Sequence, residues 1–380
     1  MVVKQLSIDI DVRKYLKEIG VDAGGLNIMS AKAQLYIVSI NGLKSAGANV
    51  LKQDALSIGA DLAVPKGTVL AAQEYVDCLL IGSKKHFKIL SHKELTQPFG
   101  LKEVAHQLQI ILKTEKPRHC KVMGVINAND DSFFEGSRFK ASDAFTKIEV
   151  MIDNGAELID IGGVSSRPGA KEVSAEEELE RVRPIIDLLE DSPLLERAKF
   201  SIDTYQPMVA QYALERGFHI VNDIRGLESD ELCEVIAEFD ATAIIMHMQG
   251  RPESMQLHPE YDDVLDEIYT FFQERIAKAH KYGIKDIILD VGIGFGKSLE
   301  DNLMLITHLE HFLRLRKQIL VGASRKSLID KIDPSDVMDR LGGTLALHLA
   351  AVKNGAGILR VHDVKEHVQA LKVQKALQSI

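Results

Sequence analysis

The chain has 380 residues, 46% of them hydrophobic and 27% charged, with a formal net charge of −9 and three cysteines. That length suits one large domain with a smaller one beside it, not a single average domain. The acidic balance argues against nucleic acid or an anionic membrane as partner, and the odd, scattered Cys78, Cys120 and Cys233 make neither a disulfide framework nor a zinc site.

The first residues carry charge too early and too often for a signal peptide, and no stretch approaches the roughly 18 apolar residues of a membrane span. A cytoplasmic protein is expected. Residues 35–40 read as a strand before a helix at 45–58. Short apolar pieces follow at 61–64 and 76–81, then helical patterns near 84–95 and 100–112. We read 1–112 as a small α/β domain without a catalytic constellation. Its plain role is a stabilising or dimerising add-on, and the alternative is a substrate lid or partner-binding unit. Residues 113–118, charged and containing Pro117, read as a linker.

From 119 to 380 an apolar strand-like run ends in a polar residue eight times. The runs 122–126, 200–202, 220–221, 243–246 and 287–289 stop at Asn127, Asp203, Asn222, His247 and Asp290. Residues 158–161 lead into Gly162, Gly163 and Ser165, 319–321 into Ser324, Arg325 and Lys326, and 358–359 into Arg360 and His362. A helical pattern follows each. Strands that alternate with helices pair in parallel, and eight of them close into a (β/α)8 TIM barrel with its chemistry at the C-terminal strand ends. Helix signals agree. Ser174 and Glu177 have capping-box spacing, Thr204 and Pro207 fit an N-cap region, and 261–282 and 298–315 keep a 3.6-residue period. Gly155, Gly217, Gly283 and Gly355 stand where helices should end.

The strand ends divide by charge. Asp203, Asn222 and Asp290 suit a flat heterocycle with neighbouring N–H donors, because carboxylates only accept hydrogen bonds while an amide does both. Arg325, Lys326, Arg360 and His362 follow strands seven and eight, where barrels commonly bind phosphate, and point to an anionic substrate such as a diphosphate. The run Gly292-Ile-Gly-Phe-Gly-Lys297 matches neither the dinucleotide fingerprint nor the P-loop, but its glycines allow close backbone approach and Phe295 offers a ring face. His308 and His311 read as a surface pair, and His258, His280 and His348 belong to no motif.

These motifs together resemble dihydropteroate synthase across essentially all of 121–376. The matching pieces are Met-Gly-Val-Ile-Asn (123–127), Asp-Ser-Phe (131–133), Ile-Asp-Ile-Gly-Gly (159–163) and Ser-Arg-Pro-Gly-Ala (166–170). Ser-Ile-Asp-Thr-Tyr (201–205), Val-Asn-Asp-Ile (221–224) and Met-His-Met-Gln-Gly (246–250) follow. Leu-Asp with the glycine run (289–297), Ser-Arg-Lys-Ser (324–327) and Arg-Val-His-Asp-Val (360–364) complete the set.

The resemblance implies condensation of 6-hydroxymethyl-7,8-dihydropterin diphosphate with p-aminobenzoate, releasing diphosphate. It implies that Asp203, Asn222 and Asp290 hold the pterin edge, Met246 packs on the ring and Lys326 reaches it. Asn127, Arg360 and His362 would hold the diphosphate, with Mg2+ near Asn127. Ser166, Arg167, Pro168, Phe295 and Ser327 would shape the p-aminobenzoate pocket. Catalysis would rest on Asp203, Lys326, Asn127 and Asp290, in a cytoplasmic homodimer taking small-molecule substrates. Four positions depart from the family pattern: Asn129-Asp130 stand where Thr-Pro is usual, Val164 replaces a glutamate, and Val291 replaces a proline. A pterin-dependent methyltransferase shares the pterin cradle but has no use for the Ser324–Ser327 cations. A non-catalytic pterin-binding barrel is the remaining alternative.

Overall fold

The computed structural model describes residues 1–8, 10–128, 137–164, 173–250 and 259–378. They form two compact units, Met1–Glu115 with Lys375–Ile380, and Lys116–Gln374.

In the first unit, β1 (Leu35–Lys44), β2 (Asp61–Ala63) and β3 (Tyr75–Ser83) pair antiparallel in the order β1-β3-β2. Val76, Cys78 and Leu80 alternate with exposed neighbours along β3, so one sheet face packs with Leu51, Phe87 and Leu108 from the helices Ser45–Ile58, Lys84–Lys93 and Leu101–Lys113. Two further helices, Val12–Glu18 and Ala23–Ala33, were not foreseen. The first buries nothing and the second only Leu26, so neither carries an apolar stripe that a sequence pattern could reveal.

The second unit is the expected barrel. Its strands are β4 (Lys121–Asn127), β5 (Leu158–Gly162), β6 (Lys199–Asp203), β7 (Ile220–Asp223), β8 (Thr242–Met246), β9 (Ile287–Asp290), β10 (Gln318–Val321) and β11 (Ile358–Val361). They close in parallel in chain order, β11 beside β4. Successive side chains on a strand point to opposite faces, and this sorts the barrel. Ile159, Phe200, Val221 and Leu359 face the helices, while Met123, Leu158, Ile220, Ile244, Ile288 and Ile358 belong to a separate cluster that plugs the interior.

Helix ends follow local chemistry. Gly155, Gly217, Gly283 and Gly355 take φ of 100°, 86°, 89° and 109°, the left-handed conformation that a helix terminus of this kind asks for. Ser174 accepts from the Glu177 N–H at 3.2 Å and caps Ala175–Glu190. The N-cap of Pro207–Glu215 is Gln206 and not Thr204, whose hydroxyl instead accepts from Gln206 N. The helical run expected at 298–315 is an α-helix, Leu299–Thr307, followed by a 3-10 segment, Leu309–Leu315.

Candidate active site

Two residues beyond the interior plug, the same strand faces become polar. Leu158 is followed by Asp160, Ile220 by Asn222, Ile288 by Asp290 and Ile358 by Arg360, while β6 brings Asp203 in after Ser201. Strand alternation therefore puts three carboxylates, an amide and a guanidinium above an apolar floor. Gly162 makes room for one of them: a Cβ there would lie 3.3 Å from Asp203 Cβ.

Arg360 organises the cluster. Its Nε donates to Asp160 Oδ2 and its Nη2 to Asp203 Oδ2, both at 2.6 Å. Asn222 Nδ2 donates to the same Asp160 oxygen at 3.1 Å. The acidic and basic halves expected of the mouth are thus joined, because Arg360 reaches across the barrel to the acids. Asp160, fully buried, is a site residue to which no sequence motif assigns a role. Its signal was the two-residue step from Leu158. Burial pushes the Asp203 carboxyl up to about 7, against the pull of Arg360. Burial also raises Asp290, whose Oδ1 accepts from Gly292 N at 2.8 Å.

The glycine loop after β9 is held from below by Lys297, whose ammonium donates to the carbonyls of His247, Gly292 and Phe295 at 3.2, 3.0 and 2.9 Å. Burial lowers this lysine to about 7. At Gly292, with φ +67°, a Cβ would fall 1.9 Å from the His247 carbonyl oxygen, so the loop runs where only glycine fits. Phe295 joins Met246 and Ile224 in a small apolar cluster, and Lys326 Nζ stands 3.8 Å from the Phe295 ring centre. This gives the mouth a cation over an aromatic wall beside the acids.

Other expected residues fall in different places. His362 Nδ1 and Ser324 Oγ are 2.9 Å apart. Ser327 starts the helix Ser327–Ile332 and is exposed, and Asn127 closes β4 in register with Gly162. Arg325 is not a cation of the mouth: its Nε and Nη2 bind both oxygens of Asp363 at 2.9 and 2.6 Å. His247 turns outward to pack edge-on against Phe271, 4.9 Å between ring centres. His348, without a motif in the sequence, is buried and hydrogen-bonded to His367 at 2.9 Å. Ser166, Arg167 and Pro168, with Asn129 and Asp130, lie outside the described residues.

The model of pterin binding enzymes matches residues 123–362. A bifunctional dihydropteroate synthase/dihydropteroate reductase of Helicobacter pylori is 42% identical over 378 residues, covering 100% of this chain and 99% of the relative. The chain belongs to the dihydropteroate synthase family. It is a transferase of folate biosynthesis with a pterin-binding TIM barrel. The Escherichia coli synthase is 42% identical over 264 residues, 69% of this chain and 93% of its own. A Yersinia pestis dihydropteroate synthase crystallised with a sulfonamide drug superposes with TM-score 0.64 at 38% identity, covering 69% of this chain and 95% of that one. Among the readings open to the sequence, the family favours the synthase over the methyltransferase and the inert barrel. Among the described residues, no helix is long and apolar enough to cross a membrane.

Proposed function

We propose that the synthase joins 6-hydroxymethyl-7,8-dihydropterin diphosphate to p-aminobenzoate in the mouth of the second unit. The observation that carries this reading is the polar layer above the apolar plug, with Asp203, Asn222, Asp290 and Arg360 at corresponding strand positions. Asp203, Asn222 and Asp290 supply acceptors and a donor for the amino-pyrimidinone edge of a pterin, and Met246 packs on its face. Phe295, Ser327, Ser166, Arg167 and Pro168 form the p-aminobenzoate side. Asn127, Arg360 and His362 receive the diphosphate.

Departure of diphosphate leaves positive charge on the exocyclic methylene, which buried carboxylates stabilise, Asp203 above all. Lys326 holds the pterin ring from the Phe295 side. The arylamine is unprotonated at neutral pH, so orientation and leaving-group stabilisation carry the reaction without a strong base. Mg2+ would supply charge neutralisation on the diphosphate. Among the described residues no three His, Cys, Asp or Glu side chains cluster to hold a metal. The donor set fits an ion bound mainly by substrate oxygens with the Asn127 amide oxygen, as is usual for Mg2+. The test is diphosphate release from the pterin diphosphate, with and without p-aminobenzoate and Mg2+. Release that ignores p-aminobenzoate, or no release, overturns the reading.

Further properties belong to the same proposal. A homodimer is supported by the helix Leu341–Lys353, apolar around its circumference yet burying only Thr344, His348 and Ala351, and by exposed Ile332, Val337 and Met338 just before it. Light scattering should give twice 42.1 kDa. A monomeric mass would rule the dimer out. A reducing, cytoplasmic setting is supported by Cys78, Cys120 and Cys233, all free thiols.

A second activity has one observation in its favour. The alignment with the Helicobacter pylori bifunctional protein runs through the first unit, whereas that with the Escherichia coli synthase covers 69% of this chain. We therefore extend reduction of dihydropteroate to this chain, a hydride coming from a nicotinamide or reduced-flavin donor to the ring carbon and a proton from solvent to the ring nitrogen, with the donor released in its oxidised form. Anaerobic assay of the full chain with dihydropteroate and each donor tests it, and no donor oxidation in either would dismiss it.

A further inference from the structure

Behind the mouth, two buried histidines link the loops after β10 and β11. The Ala323 N–H points at His348 Nε2, 2.9 Å away. His348 Nδ1 lies 2.9 Å from His367 Nε2, and His367 Nδ1 lies 2.6 Å from the carbonyl oxygen of Asp363. His348 is fully buried and His367 is 1% exposed. The end groups of this chain leave no choice of proton positions. A backbone N–H only donates, so His348 Nε2 must be bare and the proton sits on Nδ1. That N–H donates to His367, whose Nε2 must then be bare and whose own proton sits on Nδ1. The Asp363 carbonyl, which only accepts, ends the chain.

Both rings are therefore neutral with the proton on Nδ1, and every ring nitrogen has a partner. An extra proton on either Nε2 would set N–H against N–H. Burial keeps both rings below the ordinary histidine range, His348 at about 3. The two residues that the chain grips adjoin the site. Ala323 precedes Ser324-Arg325-Lys326, and Asp363 follows His362. A second set of bonds runs in parallel: Asp363 takes the Arg325 fork, and Arg325 N donates to Thr344 Oγ1 at 2.9 Å, on the same helix as His348. Arg325 needs this support, since its φ of 56° is a left-handed conformation that a non-glycine residue adopts at a cost.

We propose that His348 and His367 are positioning residues of the synthase: a proton-ordered relay through their rings holds the loop carrying Lys326 and the turn carrying His362 in working register. This rests on the assignment of Lys326 and His362 to the substrate site. Neither histidine touches substrate. Their effect passes through the Ala323 amide and the Asp363 carbonyl.

Two measurements on the full-length protein test it. In protein labelled with imidazole-15N histidine, with His348→Gln and His367→Gln spectra assigning the signals, both rings should be neutral Nδ1–H tautomers at about pH 7, the minor form in solution. An Nε2–H tautomer or an imidazolium at either position overturns the relay. In kinetics, His348→Leu should lower kcat by about tenfold or more through misplacement of Lys326 and His362. Its affinity for 6-hydroxymethylpterin, read by fluorescence, should fall by less than turnover does, because Lys326 shifts on the ring while the acids that hold the pterin edge are untouched. His348→Gln places a carbonyl oxygen where it can accept from Ala323 N and should recover much of the lost turnover. Should His348→Leu not fold, His367→Leu spares the Ala323 bond and takes its place in the same comparison. If Lys326→Ala is crippled while a folded His348→Leu or His367→Leu turns over at the native rate, the inference fails. If Lys326→Ala turns over normally, the substrate-site reading fails, and the positioning role fails with it whatever the tautomers show.

Discussion

Replacing Arg360 by methionine removes the one cation within hydrogen-bonding distance of Asp160 or Asp203 among the described residues, while nearly keeping the side-chain volume. Two carboxylates then remain, Asp160 fully buried and Asp203 with a side chain 12% exposed. Breaking a buried ion pair from one side costs about 3–5 kcal/mol, because the abandoned charge cannot return to water. Its escape is to bind a proton. Burial already pushes Asp203 from 3.8 to about 7 with Arg360 opposing the rise, so without Arg360 the carboxyl rises further. A carboxyl whose folded pKa lies above its unfolded value binds its proton more tightly when folded. Its protonated form supports folding at low pH, and that support is lost as pH rises through the folded pKa. The variant's deficit relative to the native chain should therefore be about 3–5 kcal/mol near pH 8.5 and smaller by about 1.4 kcal/mol or more near pH 6.5. In thermal unfolding followed by circular dichroism, that is about 6–20 °C at the higher pH for a barrel of this size. Arg360→Lys should recover part of the stability, but a single ammonium cannot span both carboxylates, so turnover should stay low. A deficit under about 1 kcal/mol, or one that does not change with pH, would show that Arg360 does not carry these acids.

Other consequences can be measured directly. Lys326→Ala and Asp203→Asn, purified and folded, should each lower turnover by about tenfold or more in the diphosphate-release assay, and near-native activity in either would remove that residue's assigned role. Gly292→Ala forces a Cβ against the His247 carbonyl at a left-handed φ, so the loop must shift and the N–H that Asp290 accepts from shifts with it. A loss of about 2 kcal/mol or more in stability, with weakened pterin binding by fluorescence, is expected, and an undisturbed Kd would refute the close-packing argument. Glu178 is buried, and burial pushes it from 4.5 to about 7 against the opposing pull of Thr204 and Arg181. The native chain should lose roughly 3 kcal/mol of stability from this group as pH rises through 7, so Glu178→Gln should match it near pH 5 and exceed it near pH 8.5. Equal urea midpoints at both pH values would contradict that.

Much of this protein is legible in local pattern. Each barrel strand is a short apolar run, four barrel helices end at the left-handed glycines Gly155, Gly217, Gly283 and Gly355, and a strand that alternates with helices has few ways to pair. These are properties of neighbours in the chain, so the sequence by itself determined the barrel, the end of it that carries chemistry, and the family. It also contained the polar layer, in the two-residue step from Leu158 to Asp160 and from Ile358 to Arg360. Which cation meets which acid was decided elsewhere. Arg360 and Arg325 look alike in sequence, both basic and both just past a strand. Barrel closure brings Arg360 to Asp160 and Asp203, 200 and 157 residues away along the chain, while Arg325 turns to Asp363. His348 had no motif for the same reason: its partners, the Ala323 amide and His367, lie 25 and 19 residues away and only the closed barrel sets them beside it. Local propensity selects the elements, but the pairing of buried charges and protons depends on register and closure, which no short stretch of chain contains.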